Sequence, residues 1–222
     1  FRRVLFRSYA GASAELKALA ELANAPVITT LKAKGSFPED HPLFVGVRGD
    51  QVDHYLNKSD LILAIGSSLS PGRFSHGIPN AVNKTIIHAT IDELHVNKTY
   101  PTAVALIGDA RFTLQALAKE LSDKTSGNGR PSGKVAAEVK SARESAMAQY
   151  REAMASTDKP INPYRVYAGM MEVLDPLNSF VTHDSGNTRD QLSTVYDTLI
   201  PRGFLRTEEH TSELQSRRKL VC

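Results

Sequence analysis

The segment Ala25–Gly49, with the sequence APVITTLKAKGSFPEDHPLFVGVRG, restricts the fold of this chain more than any other part of it. It begins with Pro26–Thr30, a short run rich in β-branched residues that is typical of a buried strand. A glycine turn follows, then a Phe-Pro-Glu-Asp-His-Pro loop, and then a turn bracketed by Gly46 and Gly49. A strand that leads into glycine turns predicts an α/β domain in which the strand ends face a ligand.

The rest of the first half alternates between strand and helix patterns. Asp60–Gly66 is a continuous apolar run, as expected for a parallel strand that is covered on both faces. The other predicted strands are Pro26–Thr30, Thr85–Ile91 and Val104–Gly108, and the predicted helices are Ser13–Asn24 with Ser13 as N-cap, Asp50–Asn57 with Asp50 as N-cap, and Ala110–Leu121. This alternation predicts a doubly wound parallel sheet of the six-stranded Rossmann-like type over residues 9–123.

A second unit is predicted after a linker. Residues 124–161 begin with a Gly/Ser/Pro-rich stretch and continue as a helix, Lys134–Ser156, made mostly of alanine and charged residues, which we expect to lie on a surface. Residues 162–205 then start a truncated second α/β domain. Asn162 is expected to cap a helix there, with Pro163 in its first turn and Val166, Met170 and Val173 on one face, before a strand at Ser179–Thr182.

The net charge of +3 belongs to the two ends of the chain. Residues 1–8 and 206–222 together carry +4, and the residues between them carry −1. Both ends resemble translated sequencing adapters, so we expect non-native tails there, with natural disordered termini as the alternative. The basic charge therefore predicts no nucleic-acid partner. No apolar run reaches the ~18 residues of a membrane span, and no signal peptide is visible, so a cytoplasmic protein without a membrane partner is expected.

Four turns leave predicted strands at the edge where ligands bind in open parallel sheets. They are Thr30–Lys32, Gly66–Ser68, Thr90–Asp92 and Gly108–Asp109. Glycine lets backbone N–H groups approach a phosphate, and a carboxylate at a strand end accepts hydrogen bonds from ribose or ribityl hydroxyls. Asp92 and Asp109 each also precede a predicted helix and could instead be N-caps, so both interpretations stay open.

Other polar residues give weaker indications. The histidines at positions 41, 54, 76, 88 and 95 lack metal-ligand spacing and are expected in loops or on the surface, and Lys32 and Lys34 are expected in solvent. Ser67–Ser70 lacks the Gly-Lys-Ser/Thr ending of a phosphate loop. Arg48 and Arg73 are candidates for reaching a phosphate or a carboxylate. The run His183–Asn187 is either an ordinary strand exit or a diphosphate-binding turn.

Several of these stretches occur together in one known family. In order, they are APVITTLKAKGSFPEDHPLFVGVRG, DLILAIGSSL, KTIIHATIDE and ALIGDARFTLQAL, followed by INPYRVYAGMMEVLD and FVTHDSGNTRDQ. Residues 9–123 resemble the central, DHS-like nucleotide-binding domain of thiamine-diphosphate enzymes of the acetolactate synthase type. Residues 162–205 resemble the start of the C-terminal, diphosphate-binding domain of the same enzymes.

The resemblance implies an enzyme that uses thiamine diphosphate and Mg²⁺ to decarboxylate a 2-keto acid and to join the product to an acceptor. It implies a homodimer or homotetramer, and a central domain that holds a non-redox FAD, an ADP or no nucleotide. The positions that match nucleotide contacts of the family are Gly11, Ala12, Thr30, Leu31, Lys32, Val45, Gly46, Val47, Arg48, Gly66, Ser67, Ile91, Asp92, Gly108 and Asp109, and those that match contacts to the cofactor diphosphate are Gly186, Asn187 and Thr188. The resemblance assigns no catalytic and no metal-binding residue to this chain, which alone is expected to be inactive.

Two stretches depart from the flavin-binding pattern of the family. Ser-Ser-Leu-Ser-Pro follows Gly66 where acetolactate synthases have an Arg-Phe-Asp-Asp-Arg-like run, and HATID keeps one of the two acids of HIDID. FAD, ADP and an empty central domain therefore all stay open. A non-catalytic FAD- or ADP-binding module and a decarboxylase acting on an acyl-CoA are the alternatives to a 2-keto-acid carboligase.

Overall fold

The computed structural model describes residues 10–70, 77–131, 133–183 and 186–206. Most of both predicted tails, as well as Arg73, His76, Asp184 and Ser185, lie outside the described residues. The helices are α1 (Ser13–Ala23), α2 (Asp50–Lys58), α3 (Ala110–Lys124), α4 (Val135–Ala155), α5 (Pro163–Val173) and α6 (Asn187–Val195). The strands are β1 (Val27–Ile28), β2 (Phe44–Gly46), β3 (Leu61–Ile65), β4 (Thr85–Thr90), β5 (Val104–Ile107), β6 (Val181–His183) and β7 (Phe204–Arg206).

All the described strand pairs are parallel, so the α/β fold class is confirmed. The pairs form three separate groups: β1 with β2, β3–β4–β5, and β6 with β7. Among the described residues, the ladders of these three groups do not join into one continuous sheet. The β1–β2 pair is short and its register shifts between Val27 and Ile28, which limits how far the hydrogen-bond ladder extends.

Helices α1 and α3 pack together beside the three-stranded sheet. Leu114 and Leu19 are buried between them, and Leu117 and Leu121 of α3 line the same contact, as the spacing predicts. The sheet is not covered on both faces as expected. Leu61, Val104 and Ile107 are each about half exposed (52%, 46% and 54%).

Helix α4 is more than a surface helix. Its Val139 is 1% exposed and packs against Val45 of β2 and Val52 of α2. Alanine-rich composition obscured this contact, because a helix with few large apolar residues can still bury each of the few it has. Met147 and Tyr150 of α4 also pack against the core of the second unit.

The second unit has more structure than the sequence predicts. Helix α6 and strand β7 were missed, and the strand expected at Ser179–Thr182 lies at Val181–His183. The predicted face of α5 is confirmed for Met170, which packs against the core of the second unit, but is wrong for the two valines. Val173 is 83% exposed and Val166 is 42% exposed, whereas Tyr167 is buried in a core with Leu192, Tyr196 and Phe204. The large Tyr167 ring buries more apolar surface than a valine, which sets the orientation of the helix.

The helix caps follow the sequence in part. Asp109 and Asn162 accept hydrogen bonds from the backbone at the starts of α3 and α5, and Asp92 does the same for the short 3₁₀ helix Glu93–His95. Pro163 lies in the first turn of α5. The caps assigned to Ser13 and Asp50 are wrong. Each is the first residue of its helix, and the cap positions are Ala12 and Gly49, which have no side-chain cap bond.

Asp109 allows a direct test of these cap contacts. Its Oδ1 accepts from the backbone N–H of Arg111 (2.8 Å) and of Phe112 (3.4 Å). Asp109→Ala is expected to lower the free energy of unfolding by about 1 kcal/mol, because two amide groups at the start of α3 lose their acceptor. Asp109→Asn keeps an acceptor oxygen and should lose much less in urea denaturation. Equal stability of the alanine variant and the unchanged chain would contradict the assignment.

Candidate functional site

The carboxyl edge of the three-stranded sheet brings together three of the predicted ligand-binding turns. The ladders pair Ile65 of β3 with Ala89 of β4 and Thr90 of β4 with Ile107 of β5, so these strands end side by side. The residues that follow them are Gly66 and Ser67, Ile91 and Asp92, and Gly108 and Asp109. The backbone N–H groups of Gly66 and Gly108 bond to the Ala89 and Thr90 carbonyls, which fixes both turns to the middle strand.

The two acids at this edge act as helix caps. Asp92 Oδ1 accepts from the Leu94 N–H (3.1 Å), and Asp92 Oδ2 lies 3.3 Å from His95 Nε2. Asp109 caps α3. The N-cap alternative is therefore confirmed for both residues, and a contact of either one with a ribose or ribityl hydroxyl stays a prediction.

His88 was wrongly expected in a loop or on the surface. It lies in β4, is fully buried, and its Nε2 is 2.7 Å from the Ser67 carbonyl oxygen. An imidazole donates to a carbonyl, so Nε2 carries the proton, and this bond holds the turn that follows β3. His54 is exposed, as expected, while His41 and His95 are partly buried.

Four of the predicted contact residues have side chains that pack in apolar cores. Ala12 packs with Leu19 and Leu114, Val45 packs with Val52 and Val139, Val47 packs with the Phe37–Phe44 cluster, and Leu31 lies between that cluster and the second unit. The side chains of Ala12, Val45 and Val47 are buried and are not available to a ligand. Thr30 and Lys32 are exposed beside Leu31.

The turn Gly46–Arg48 reaches into the second unit. Arg48 Nη1 donates to Asp190 Oδ1 of helix α6 (2.6 Å), and Arg189 Nε donates to the same oxygen (2.9 Å). The pKa of Asp190 lies below its ordinary value. The hydrogen bond from Arg189 is the largest cause, and the hydrogen bond from Arg48 adds to it. The structure therefore joins the predicted nucleotide turn to the helix that begins beside Gly186.

Helix α6 begins at the predicted diphosphate residues. Gly186 is its N-cap with a φ of +102°, and no heavy atom lies within 4 Å of the position that a Cβ would take there. Asn187 and Thr188 are exposed in the first turn. Backbone N–H groups at a helix start and the helix dipole favour an anion at such a position.

Sequence reasoning missed a buried ion pair in the Phe-Pro-Glu-Asp-His-Pro loop. Lys34, expected in solvent, donates to Glu39, and their side chains are 2% and 0% exposed. Glu39 also accepts from the Thr198 N–H of the second unit (2.9 Å). Burial raises the pKa of Glu39, although Lys34 acts in the opposite direction. The sequence did contain one indication of this pair, because two opposite charges lie five residues apart around a glycine turn.

Arg143 of helix α4 completes this junction. It donates to the Glu39 carbonyl oxygen (2.8 Å) and to both carboxylate oxygens of Asp197 (3.0 and 3.1 Å). A groove of about 530 Å³ runs beside it between α4 and the loop around His41 and Phe44. This groove contains none of the residues predicted to bind a cofactor.

Among the residues that the structure describes, no helix is long and apolar enough to cross a bilayer. The same residues include no group of three or more histidine, cysteine, aspartate or glutamate side chains arranged to hold a metal ion.

Comparison with known proteins matches residues 7–117 to the family model of the thiamine pyrophosphate enzyme central domain. The probable acetolactate synthase large subunit of Methanocaldococcus jannaschii is 33% identical over 214 residues, covering 88% of this chain and 33% of the relative. The acetolactate synthase large subunit of Corynebacterium glutamicum is 39% identical over 112 residues, covering 49% of this chain and 18% of the relative.

The fold matches solved structures as well. The crystal structure of benzoylformate decarboxylase from Polynucleobacter necessarius superposes with a TM-score of 0.64 at 21% identity, covering 89% of this chain and 35% of that one. The chain thus spans about a third of the length of the archaeal relative and of this structure.

Proposed function

Because this chain belongs to the thiamine pyrophosphate enzyme family, we propose that it is part of a thiamine-diphosphate-dependent 2-keto-acid carboligase of the acetolactate synthase type. The observation that carries the proposal is the match to an acetolactate synthase large subunit along 88% of the chain, through both units. That extent favours an enzyme over a self-contained nucleotide-binding module, for which a match to the central unit alone would be expected.

The residues at the start of helix α6 fit the diphosphate of the cofactor. The backbone of Gly186 is open on the side where a Cβ would project, and Asn187 and Thr188 present side-chain donors in the same turn. Asp190, one turn further on, would repel a diphosphate if its charge were isolated. Its pairing with Arg48 and Arg189 offsets that charge. Thiamine diphosphate, when bound, supplies the carbanion-stabilising chemistry of the reaction.

The carboxyl edge of β3, β4 and β5 fits the phosphates of a nucleotide. Gly66 has a φ of +59°, which only glycine adopts readily, and it is held in that turn from both sides, by Ala89 and by the His88–Ser67 bond. We propose that FAD or ADP binds here through the backbone of the Gly66–Ser67 and Gly108–Asp109 turns. The cytoplasm as location, Mg²⁺ as the metal and a homodimer or homotetramer as the assembly belong to the same proposal.

Turnover of pyruvate tests this proposal. The complete gene product, supplied with thiamine diphosphate and Mg²⁺, is expected to release CO₂ and to form acetolactate, and omission of thiamine diphosphate is expected to abolish both. Chelation of the metal with EDTA should likewise abolish CO₂ release and acetolactate formation. Failure to release CO₂ from pyruvate and from other short 2-keto acids would contradict the proposal.

The visible absorption spectrum of the same protein decides between nucleotides. A bound flavin gives an absorption band that ADP lacks. We expect the band to be present if the central unit resembles acetolactate synthases in its ligand as well as in its fold. Its absence together with release of ADP on denaturation would favour the acyl-CoA decarboxylase alternative.

A further inference from the structure

Helix α6 is held at both of its ends by residues from outside the second unit. In its first turn, Asp190 accepts from Arg48. Just beyond its last turn, the backbone N–H of Thr198 donates to Glu39 and Asp197 accepts from Arg143. Within the second unit, the same helix is packed through buried Leu192 and Val195.

Arg48 lies in a turn that the sequence predicts to bind a nucleotide, but its guanidinium group pairs with Asp190 of helix α6. Nη1 lies 2.6 Å from Asp190 Oδ1, and the Arg48 side chain is 28% exposed. The turn itself is fixed, since Gln51 Nε2 donates to the Arg48 carbonyl oxygen (3.0 Å) and Val47 is buried in the core. Arg48 is therefore a side chain on a rigid support that reaches a helix of the second unit.

The contact has an electrostatic consequence at the start of α6. An ionised aspartate in a first turn occupies the same positive dipole field that would attract an anionic ligand. The Arg48 and Arg189 guanidinium groups both pair with Asp190 and offset its negative charge at the helix start. The position of the helix start at Gly186–Thr188 and the electrostatic potential there thus both depend on Arg48 of the central unit.

We propose that Arg48 is a positioning residue for the diphosphate site, acting through Asp190 on helix α6 without touching either the diphosphate or the nucleotide. This inference rests on the proposed function, because it concerns the site at Gly186, Asn187 and Thr188. The Arg48–Asp190 contact fixes the position of the diphosphate-binding helix relative to the turn Gly46–Arg48. The Glu39 and Arg143 contacts hold the other end of that helix.

The test uses Asp190→Asn and Arg48→Met singly and together in the complete gene product. Arg48→Met is expected to weaken thiamine diphosphate binding about fivefold or more, since coupling between sites is typically of that size. Asp190→Asn loses the same contact but also removes the negative charge that would repel the diphosphate, so it should weaken binding less. The double variant should bind no more weakly than the worse single variant, because both changes remove one contact. Asp123→Asn, which breaks an exposed pair with Lys119 in helix α3, is the matched control and should leave binding unchanged.

The affinities of the protein for FAD and for ADP should be unaffected by either single variant. A loss of nucleotide affinity in Arg48→Met alone would overturn the proposal, because it would assign Arg48 to the nucleotide.

Amide hydrogen exchange of Asn187–Val195 should speed up in both variants while that of helix α1 is unchanged. Unchanged exchange in α6 would also overturn the proposal. Failure of the unaltered protein to bind thiamine diphosphate would contradict the proposed function, and the exchange comparison would still decide the positioning role.

Discussion

Lys34→Met is expected to lower the free energy of unfolding by about 3–5 kcal/mol at neutral pH. The substitution leaves the Glu39 carboxylate fully buried without its cation, whereas the methionine keeps most of the packing against the Phe204 ring, which lies 5.3 Å from Lys34 Nζ. A buried charge that loses its partner costs far more than the net contribution of the intact pair. Urea denaturation of the two proteins measures the difference.

The size of this loss depends on pH in a definite direction. Burial raises the pKa of Glu39, and Lys34 lowers it, so removal of Lys34 raises that pKa further. A group whose pKa is higher in the folded than in the unfolded state loses its stabilising contribution as the pH rises through the folded value. The cost of Lys34→Met should therefore be largest at high pH and should shrink as the pH falls and Glu39 takes up a proton. Arg143 and Asp197 flank Glu39 in both proteins, so the difference reports on Lys34.

Two controls separate the buried pair from charge in general. The double variant Lys34→Met/Glu39→Gln removes both charges and keeps an amide oxygen to accept from the Thr198 N–H, so it should recover much of the loss. Lys58→Met breaks an exposed pair with Glu138 and should change stability by less than about 1 kcal/mol. A loss in Lys34→Met no larger than that in Lys58→Met would contradict the buried ion pair.

Gly35→Ala is expected to separate the Phe-Pro-Glu-Asp-His-Pro loop from the second unit. Gly35 has a φ of +80°, and a Cβ there would lie 2.6 Å from the Ile200 carbonyl oxygen and 2.8 Å from Thr198 Cγ2. Because the first of these atoms is backbone, the loop or the Thr198–Ile200 segment must move. We expect a loss of about 1–3 kcal/mol from this overpacking, in addition to the backbone strain.

Gly127→Ala provides the matched control. Gly127 has the same φ of +80°, but no heavy atom lies within 4 Å of the position of its Cβ. It should therefore show the strain of a left-handed alanine alone, about 1–2 kcal/mol. Limited proteolysis should release the second unit faster in Gly35→Ala and not in Gly127→Ala. Equal losses of stability in the two variants would show that Gly35 does not contact the second unit closely.

The strands and helices of the central unit could be predicted because each has a strong local pattern. The β-branched and apolar runs gave β3, β4 and β5 within a residue or two, and the leucines of α3 gave its buried face. The caps at Asp109 and Asn162 follow from the preference of short polar side chains for that position. Ser13 and Asp50 carry the same preference, but their helices begin at those residues themselves, so the local pattern could not distinguish the two cases.

The junction between the units could not be predicted, because it depends on contacts between residues far apart in the chain. Lys34 was predicted to be solvent-exposed, because the sequence does not indicate its contacts with Glu39 and with the Phe204 ring of the second unit. Arg48 and Asp190 are separated by 142 positions, and neither has a neighbour in sequence that indicates the other. Likewise, His88 is an isolated polar residue in an apolar strand, and only the Ser67 carbonyl explains its burial.

Calorimetric titration of the complete gene product with thiamine diphosphate in the presence of Mg²⁺ tests the central claim most directly. The account predicts saturable binding that is weakened by Arg48→Met and left unchanged by Asp123→Asn. Absence of binding at millimolar thiamine diphosphate, in a protein that unfolds cooperatively, would contradict the assignment of this chain to a thiamine-diphosphate-dependent carboligase.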